Sequence, residues 1–382
     1  MRQIPMLDLR LEYEYMQADI DVALKTCLEH QKWIFGPEVK KLEDELAGYL
    51  GVKHCIGICS GTDSLVLSLR AQAIKLKNQE YFNKTDEVIT TSFTFTATGD
   101  AILRSGATPV FVDIDPGTYN IDIKKIKDYI KSNQNVVGII PVHLYGQSCN
   151  MDEIMNIAEE HDLFVIEDVA QAFGAGWKDK KLGSIGTTGS FSFFPSKNLG
   201  GFGDGGLVAT NDDKTMELVR MLLKHGGKDK YNVDHVGYNA RLDTLQAAIV
   251  LAKFKYIDEF NSKRRQVGDQ YNEGLKDIKD IILSECLTDA FHVYHQYTIR
   301  ILNGKRGELQ NHLKEKGVST MIYYPFPLHK MKVFGDGRSK SFGNLENAEA
   351  AAQSVVSLPV EPLQSMEDTS YVIDCIKGYF NG

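Results

Sequence analysis

No stretch of this chain is long and apolar enough to suggest a membrane span. The longest run without a charged residue, Ser132 to Met151, is interrupted by Asn, Gln, Pro, His and Gly, which a spanning helix would not tolerate. Met1-Arg2-Gln3-Ile4-Pro5 leads straight into charged residues, so no signal peptide is expected. Positive charge is in deficit as well. Lys and Arg number 43 against 51 Asp and Glu, a net charge of −8, and the basic residues are scattered. A protein that lives on phosphate-backbone contacts is normally basic or carries a basic stripe, so nucleic acid is disfavoured as a partner. The longest basic cluster, Lys263-Arg264-Arg265, reads as the solvated face of a helix. Cysteine is sparse, with Cys27, Cys55, Cys59, Cys149, Cys286 and Cys375 spread through 382 residues. That spacing lacks the density of a disulfide framework, and no Cys/His pair completes a zinc site with Cys55 and Cys59. Free thiols, a reducing cytoplasm and no metal are the expectation. Repeats, low-complexity tracts and obvious linkers are absent too.

What is present is the composition of an ordinary folded protein, 43% hydrophobic and 25% charged, which excludes wholesale disorder. At roughly 100–200 residues per domain the length suggests two to three domains. Short apolar runs alternate with segments of helical period. Val39, Leu42, Leu46, Tyr49 and Leu50 share one helical face that stops at Gly51. Strands are expected at Val52–Cys59, Val88–Thr91, Thr108–Val112, Val136–Val142, Leu163–Ile166, Ser190–Phe193 and Leu207–Thr210. Helices are expected at Ser64–Ala73, Phe95–Arg104 and Met151–His161. A long helix follows, with Leu242, Leu245, Ile249, Ala252 and Tyr256 on one stripe. Strands joined by helices imply a mostly parallel sheet covered on both faces. After about residue 254, charged helices alternate with a few strands, at His295–Ile301 and Met321–Tyr324. The architecture expected is α/β, a large domain over 1–253 and a smaller α+β domain over 254–382.

Three constellations could carry chemistry. Ser60-Gly61-Thr62-Asp63 joins a strand to a helix, where free N–H groups and the positive end of the dipole suit a phosphate. It lacks the Walker pattern, and an N-cap without a ligand is the competing reading. Asp168 ends the run Phe164-Val165-Ile166-Glu167-Asp168, at the strand end where open α/β sheets bind ligands; it could also be a helix-capping acid. In Gly189-Ser190-Phe191-Ser192-Phe193-Phe194-Pro195-Ser196-Lys197-Asn198 the hydroxyls share one strand face, and Pro195 ends the strand and presents Lys197. A lysine held partly away from water has a lowered pKa and becomes a nucleophile, although a surface lysine on a loop reads the same way. The glycines from Gly200 to Gly206 let backbone close around something flat or phosphorylated. Together a phosphate cradle, an acid for a ring nitrogen and an imine-forming lysine are what a pyridoxal phosphate site needs.

These segments, with Trp33-Ile34-Phe35-Gly36-Pro37-Glu38-Val39 and Gly237-Tyr238-Asn239-Ala240-Arg241-Leu242-Asp243-Thr244-Leu245-Gln246-Ala247-Ala248, resemble the nucleotide-sugar aminotransferases. The resemblance runs from Leu7-Asp8-Leu9 to Ser357-Leu358-Pro359. It implies the aspartate-aminotransferase fold, type I, and pyridoxal 5'-phosphate as cofactor. It further implies that Lys197 is the covalent anchor and proton shuttle, that Asp168 pairs with the pyridinium nitrogen and that Gln171 sits by the 3-hydroxyl. Gly61, Thr62 and Ser192 would hold the phosphate, joined by Asn239 of a second subunit in a homodimer. Phe95 would stack on the ring. Arg241, also from the second subunit, would bind the carboxylate of L-glutamate. On residue chemistry alone Phe95 could be core, and Arg241 could simply pair with Asp243.

Tyr323-Tyr324-Pro325-Phe326-Pro327-Leu328-His329 and Asn239–Thr244 look closest to enzymes that aminate the 3-keto carbon of UDP-linked N-acetyl sugars. Substrate contacts are accordingly expected at Arg241, Tyr323 and His329. Some of those enzymes have His in place of Tyr323 and Ser in place of Ala240, which leaves a dTDP-linked 3-keto-6-deoxyhexose as an alternative. Two other classes compete. A dehydratase of the same fold has the lysine replaced, typically by His, which Lys197 argues against. A pyridoxal phosphate-binding regulatory protein would leave an intact lysine–aspartate pair unexplained.

Overall fold

A computed structural model describes residues 2–229 and 231–381. Its centre is an eight-stranded sheet in the order His54–Ile58, Gly206–Thr210, Thr188–Ser192, Phe164–Asp168, Val136–Ile140, Glu87–Thr91, Thr108–Val112 and Lys340–Ser341. Only Gly206–Thr210 runs against its neighbours, so the expected mostly parallel sheet is present. Its near-continuous apolar strands are those of a sheet buried on both faces. Phe164 and Ile166 pack under the helix Gly61–Lys77, whereas Val165 joins the core on the opposite face with Leu42, Val110 and Phe191. This alternation places Glu167 and Asp168 on opposite faces, which matters below.

The helix Gly61–Lys77 starts where Ser60 caps it. The Ser60 hydroxyl oxygen accepts from the Asp63 N–H at 3.0 Å and its O–H donates to the Asp63 carboxylate at 2.8 Å, a reciprocal cap that fixes the helix start. The expected helix at Phe95–Arg104 is observed as Thr96–Arg104. The smaller α+β domain has a three-stranded antiparallel sheet, Ile281–Leu283, Tyr297–Ile301 and Val355–Leu358. The helices Ile257–Leu275, Arg306–Glu315 and Met366–Asn381 cover it, and its core includes Val267, Ile299, Leu309, Val356 and, from the far end of the chain, Ile4. Ile4 pairs with Val318, its N–H reaching the Gly317 carbonyl at 2.8 Å.

Three expectations are corrected, and one helix is added. The stripe ending at Tyr256 is not one helix: Thr244–Phe254 stops and Ile257–Leu275 begins anew. Lys253 turns inward to pair with buried Glu12, and the Tyr256 hydroxyl donates to Asp19, so the local pull differs on the two sides of the break. Met321–Tyr324 is not a strand; among the described residues only Met321 bridges, to Ser357, and Tyr324 packs its ring against Phe93 and Phe95 instead. The cluster Lys263-Arg264-Arg265 is not a solvated face, because Arg264 is 3% exposed and covered by segments distant in sequence. The helix Leu9–His30, which was not expected, packs Met16 and Ile20 against Ala252 and Phe260. The proposed division at 253/254 lies beside the helix break. No helix among the described residues is long and apolar enough to cross a membrane.

Candidate active site

Parallel strands send their carboxyl ends to one edge of a sheet, and there a cavity of about 530 Å³ opens. Ser60, Gly61 and Thr62 follow the strand His54–Ile58, Asp168 ends its strand, Ser192 ends the next, and Phe95 follows Glu87–Thr91; all line the cavity. Gln171, Lys197 and Tyr323 line it too. A Cβ on Gly61 would lie 2.6 Å from the Ser192 Cβ, and one on Gly206 would lie 2.5 Å from the Ser60 carbonyl. Only glycine lets the helix start, the serine strand and the antiparallel strand close on one another there. The Gly61 and Thr62 N–H groups have no acceptor among the described residues, since the helix's own bonds begin with Asp63 and Ser64. Two free N–H groups at the start of a helix beside two hydroxyls fit a phosphate group.

Lys197 follows a turn in which its N–H donates to the Phe194 carbonyl at 2.8 Å. Burial pushes its ammonium down to about 8, while the negative Asp168 pulls the other way. A good fraction of this amine is therefore neutral and nucleophilic near physiological pH. Asp168 is 5% exposed; burial raises its pKa, opposed by the Thr98 hydroxyl at 2.8 Å, the Ala170 N–H at 3.2 Å and the charge of Lys197. A buried carboxylate with so little compensation fits a cationic ring nitrogen. Glu167 contrasts with it. Its carboxylate accepts from the Gly183, Ile185 and Gly186 N–H groups at 2.7–2.8 Å and meets His143 Nε2 at 3.2 Å. Since His143 Nδ1 accepts the Cys149 N–H, Nε2 carries the imidazole proton.

Gln171 is held at both ends, its oxygen by the Tyr145 N–H and its amide by the Tyr324 hydroxyl, both at 2.8 Å. Phe95 is not core: it is 56% exposed and its ring faces the cavity beside Tyr324, a surface for a flat ring. Asn239 and Arg241 do not line the cavity of their own chain. Asn239 is exposed and pairs with Lys224 through backbone, whereas Arg241 bridges Ile58 and leaves its Nε buried with no partner among the described residues. His329 also stands off the cavity, in the short turn Leu328–Lys330, with Nε2 3.0 Å from Glu349. Sequence reading missed Thr98, which a helical period puts one turn after Phe95, and His295, Gln296 and Arg264 from the smaller domain, for which no local signal exists. Cys27, His30 and Glu38 approach one another. Yet His30 Nδ1 accepts the Lys32 N–H, so Nε2–H faces the Glu38 carboxylate, a hydrogen-bonded arrangement and not a ligating one.

With this geometry in view, the comparisons with known proteins are direct. Residues 14–377 match the DegT/DnrJ/EryC1/StrS aminotransferase family, and the chain belongs to it. It is 44% identical to a pleiotropic regulatory protein of Geobacillus stearothermophilus, over 99% of this chain and 98% of the relative. Identity is 40%, over the same shares, to a UDP-N-acetyl-3-dehydro-alpha-D-glucosamine 3-aminotransferase of Acidithiobacillus ferrooxidans. To a dTDP-3-amino-3,6-dideoxy-alpha-D-galactopyranose transaminase of Aneurinibacillus thermoaerophilus it is 41%, over 98% of this chain and 99% of the relative. A solved structure from Bacillus subtilis, described as ntda with bound cofactor pmp, superposes with a TM-score of 0.90 at 32% identity, covering 100% of this chain and 86% of the other. The protein is a fold-type I, pyridoxal phosphate-dependent aminotransferase with the chemistry of the sugar-nucleotide enzymes.

Proposed function

We propose that this enzyme transfers the amino group of L-glutamate to C3 of a UDP-linked 3-keto N-acetyl sugar, working in the cytoplasm as a homodimer and feeding bacterial amino-sugar or surface-polysaccharide synthesis. The observation that carries the catalytic reading is a Lys197 amine of lowered pKa and buried Asp168 in one cavity, beside N–H donors at Gly61 and Thr62 that have no acceptor among the described residues. Pyridoxal phosphate, when bound, would supply a conjugated ring able to take up the electron pair released at the amino-bearing carbon. Lys197 Nζ would hold the cofactor covalently and move the proton at that carbon. Asp168 would keep a proton on the ring nitrogen, and Gln171, braced by Tyr145 and Tyr324, would serve the 3-hydroxyl. Gly61, Thr62 and Ser192 would bind the phosphate, with Asn239 of the second subunit, and Phe95 would cover the ring. Arg241 of the second subunit and Tyr323 would contact substrate.

The UDP-sugar reading is supported by the Acidithiobacillus relative. The alternative, a dTDP-linked 3-keto-6-deoxyhexose, is supported by the Aneurinibacillus relative at the same level of identity. A regulatory role, suggested by the name of the Geobacillus relative, gives Lys197 and Asp168 nothing to do. The test is incubation with L-glutamate and a panel of UDP- and dTDP-linked keto-sugars, read by mass. Amination of the UDP 3-keto N-acetyl sugar ahead of the dTDP substrates is expected; the reverse order makes the alternative correct. Borohydride reduction of the cofactor-loaded protein and peptide mapping should place the label on Lys197.

A further inference from the structure

Among the described residues, the other fully buried cationic side chains, Arg70 and Lys253, each have an acid of their own. Lys253 pairs with Glu12, Arg70 with Glu80 at 2.8 Å, and the partly covered Arg220 with buried Glu43 at 2.6 Å. Arg264 breaks the pattern. It is 3% exposed and lines the cavity that holds Lys197, yet no carboxylate among the described residues lies within ion-pairing distance of it. Its one protein bond runs from Nη1 to the Val360 carbonyl, at 2.8 Å. The acids whose charge reaches it, Glu12 and Glu361, are otherwise engaged: Glu12 by Lys253, and Glu361 by the Asp8 N–H at 3.1 Å. Nor does His295 help. It faces the same cavity, but its Nδ1–H is given to Asn198, whose own amide hydrogens go to Asn261 and Val293.

An uncompensated guanidinium this deep is costly unless an anion completes it. With one Nη1–H given to Val360, four donors have no acceptor among the described residues: Nε–H, the second Nη1–H and both Nη2–H. Of these, Nε–H and one Nη2–H lie along one edge of the guanidinium, an edge that can grip a carboxylate through two parallel bonds. Two oxygens of a phosphate can take the same edge, so the experiment below separates the two anions.

Resting on the proposed use of an amino acid as donor, we propose that Arg264 binds a carboxylate of the amino donor through its Nε–Nη2 edge. The residue belongs to the same chain as Lys197, so each chain carries one donor-binding cation of its own, whatever Arg241 adds.

The experiment uses the full-length, cofactor-loaded protein and its Arg264→Lys and Arg264→Met variants. In the half-reaction with L-glutamate alone, followed by the cofactor absorbance, half-saturation should rise about 10- to 100-fold in Arg264→Met, as expected for losing bonds to a charged group. Arg264→Lys, which keeps the charge but not the fork, should fall between. Half-saturation for the keto-sugar nucleotide should stay within about twofold of the wild-type value, since that substrate does not use the edge. A second readout does not depend on turnover: 2-oxoglutarate should raise the melting temperature of the wild type and not of Arg264→Met, while inorganic pyrophosphate should act on both alike. If pyrophosphate loses its effect and 2-oxoglutarate keeps it, the residue reads the diphosphate and the proposal is overturned. Unchanged responses to both probes overturn it too. Should Arg264→Met not fold, protection of Arg264 by 2-oxoglutarate against an arginine-selective dicarbonyl, mapped in the wild type, decides the same question. A wild type whose cofactor spectrum ignores every amino donor refutes the aminotransferase reading; the Arg264 assignment then stands or falls on the melting shift alone.

Discussion

Glu167 and Asp168 are adjacent in the chain, both buried, and on opposite faces of the same strand. The face toward the turn Gly183–Gly186 gives Glu167 three backbone N–H donors and a histidine. The face toward the cavity gives Asp168 one hydroxyl and one N–H, and burial raises its pKa. One carboxylate is completed by its own chain and the other awaits a positive group from outside. Burial alone therefore does not mark a functional acid; burial with unfinished compensation does.

The largest effect should come from the group that Asp168 serves. Lys197→Ala is expected to lose transamination by several orders of magnitude in steady-state assays while still binding some cofactor, as removal of a covalent catalyst does. Asp168→Asn should lower kcat by about 10²–10³, the scale of one preorganised electrostatic contact, and Glu167→Gln should leave turnover per folded molecule nearly unchanged. Near-normal activity in the Asn variant would break the contrast between the two acids.

Stability should show the opposite ranking. Glu167→Gln turns one acceptor oxygen into a donor facing backbone N–H groups, at a cost of about 2–4 kcal/mol in denaturant titration. In cofactor-free protein Asp168→Asn should instead stabilise at neutral pH. The folded pKa of Asp168 lies above its unfolded value, so the penalty on the folded state grows as pH rises past the unfolded pKa and is complete above the raised one. The advantage of the Asn variant should fade as pH falls toward about 4, where the unfolded carboxyl also protonates. A pH-independent difference in melting temperature would argue against this origin.

Much of this was legible because the relevant signals are local. Period-2 and period-3.6 apolar patterns mark strands and helices, and the ends of strands locate Asp168, Ser192 and the Ser60 turn. Arg264 was misread for the converse reason. A run of three basic residues looks solvated from its own helix, and the middle one is buried with its guanidinium on the carbonyl of Val360, a residue brought in by tertiary packing. Thr98 and His295 likewise become site residues only when separate elements meet. The aromatic run at Tyr323 and Tyr324 imitates a strand because a cavity wall and a sheet both select large apolar side chains.

Two smaller effects sharpen the comparison. The rate at which cofactor-free protein captures pyridoxal phosphate should rise about tenfold per pH unit up to about 8 and then level, because only the neutral Lys197 amine attacks. Asp168→Asn removes the charge that favours the ammonium, so that midpoint should move down. Finally, Lys197→Ala and Arg241→Ala, each nearly inactive, should recover about a quarter of wild-type activity after subunit exchange, since about half of the dimers are mixed and one site in each carries neither lesion. No recovery despite demonstrated exchange would place Arg241 outside a shared site.

The pairing of Ile4 with Val318 has a consequence for anyone who would divide the gene. The chain begins in the smaller domain's core, crosses to build the large sheet, returns near Phe254, and sends Lys340–Ser341 back to the sheet's far edge. A cut at 253/254 would therefore yield interlaced fragments: the first keeps an Ile4 whose neighbours are on the second, and the second keeps an edge strand whose partner, Thr108–Val112, is on the first. Such halves should be soluble and active only when made together.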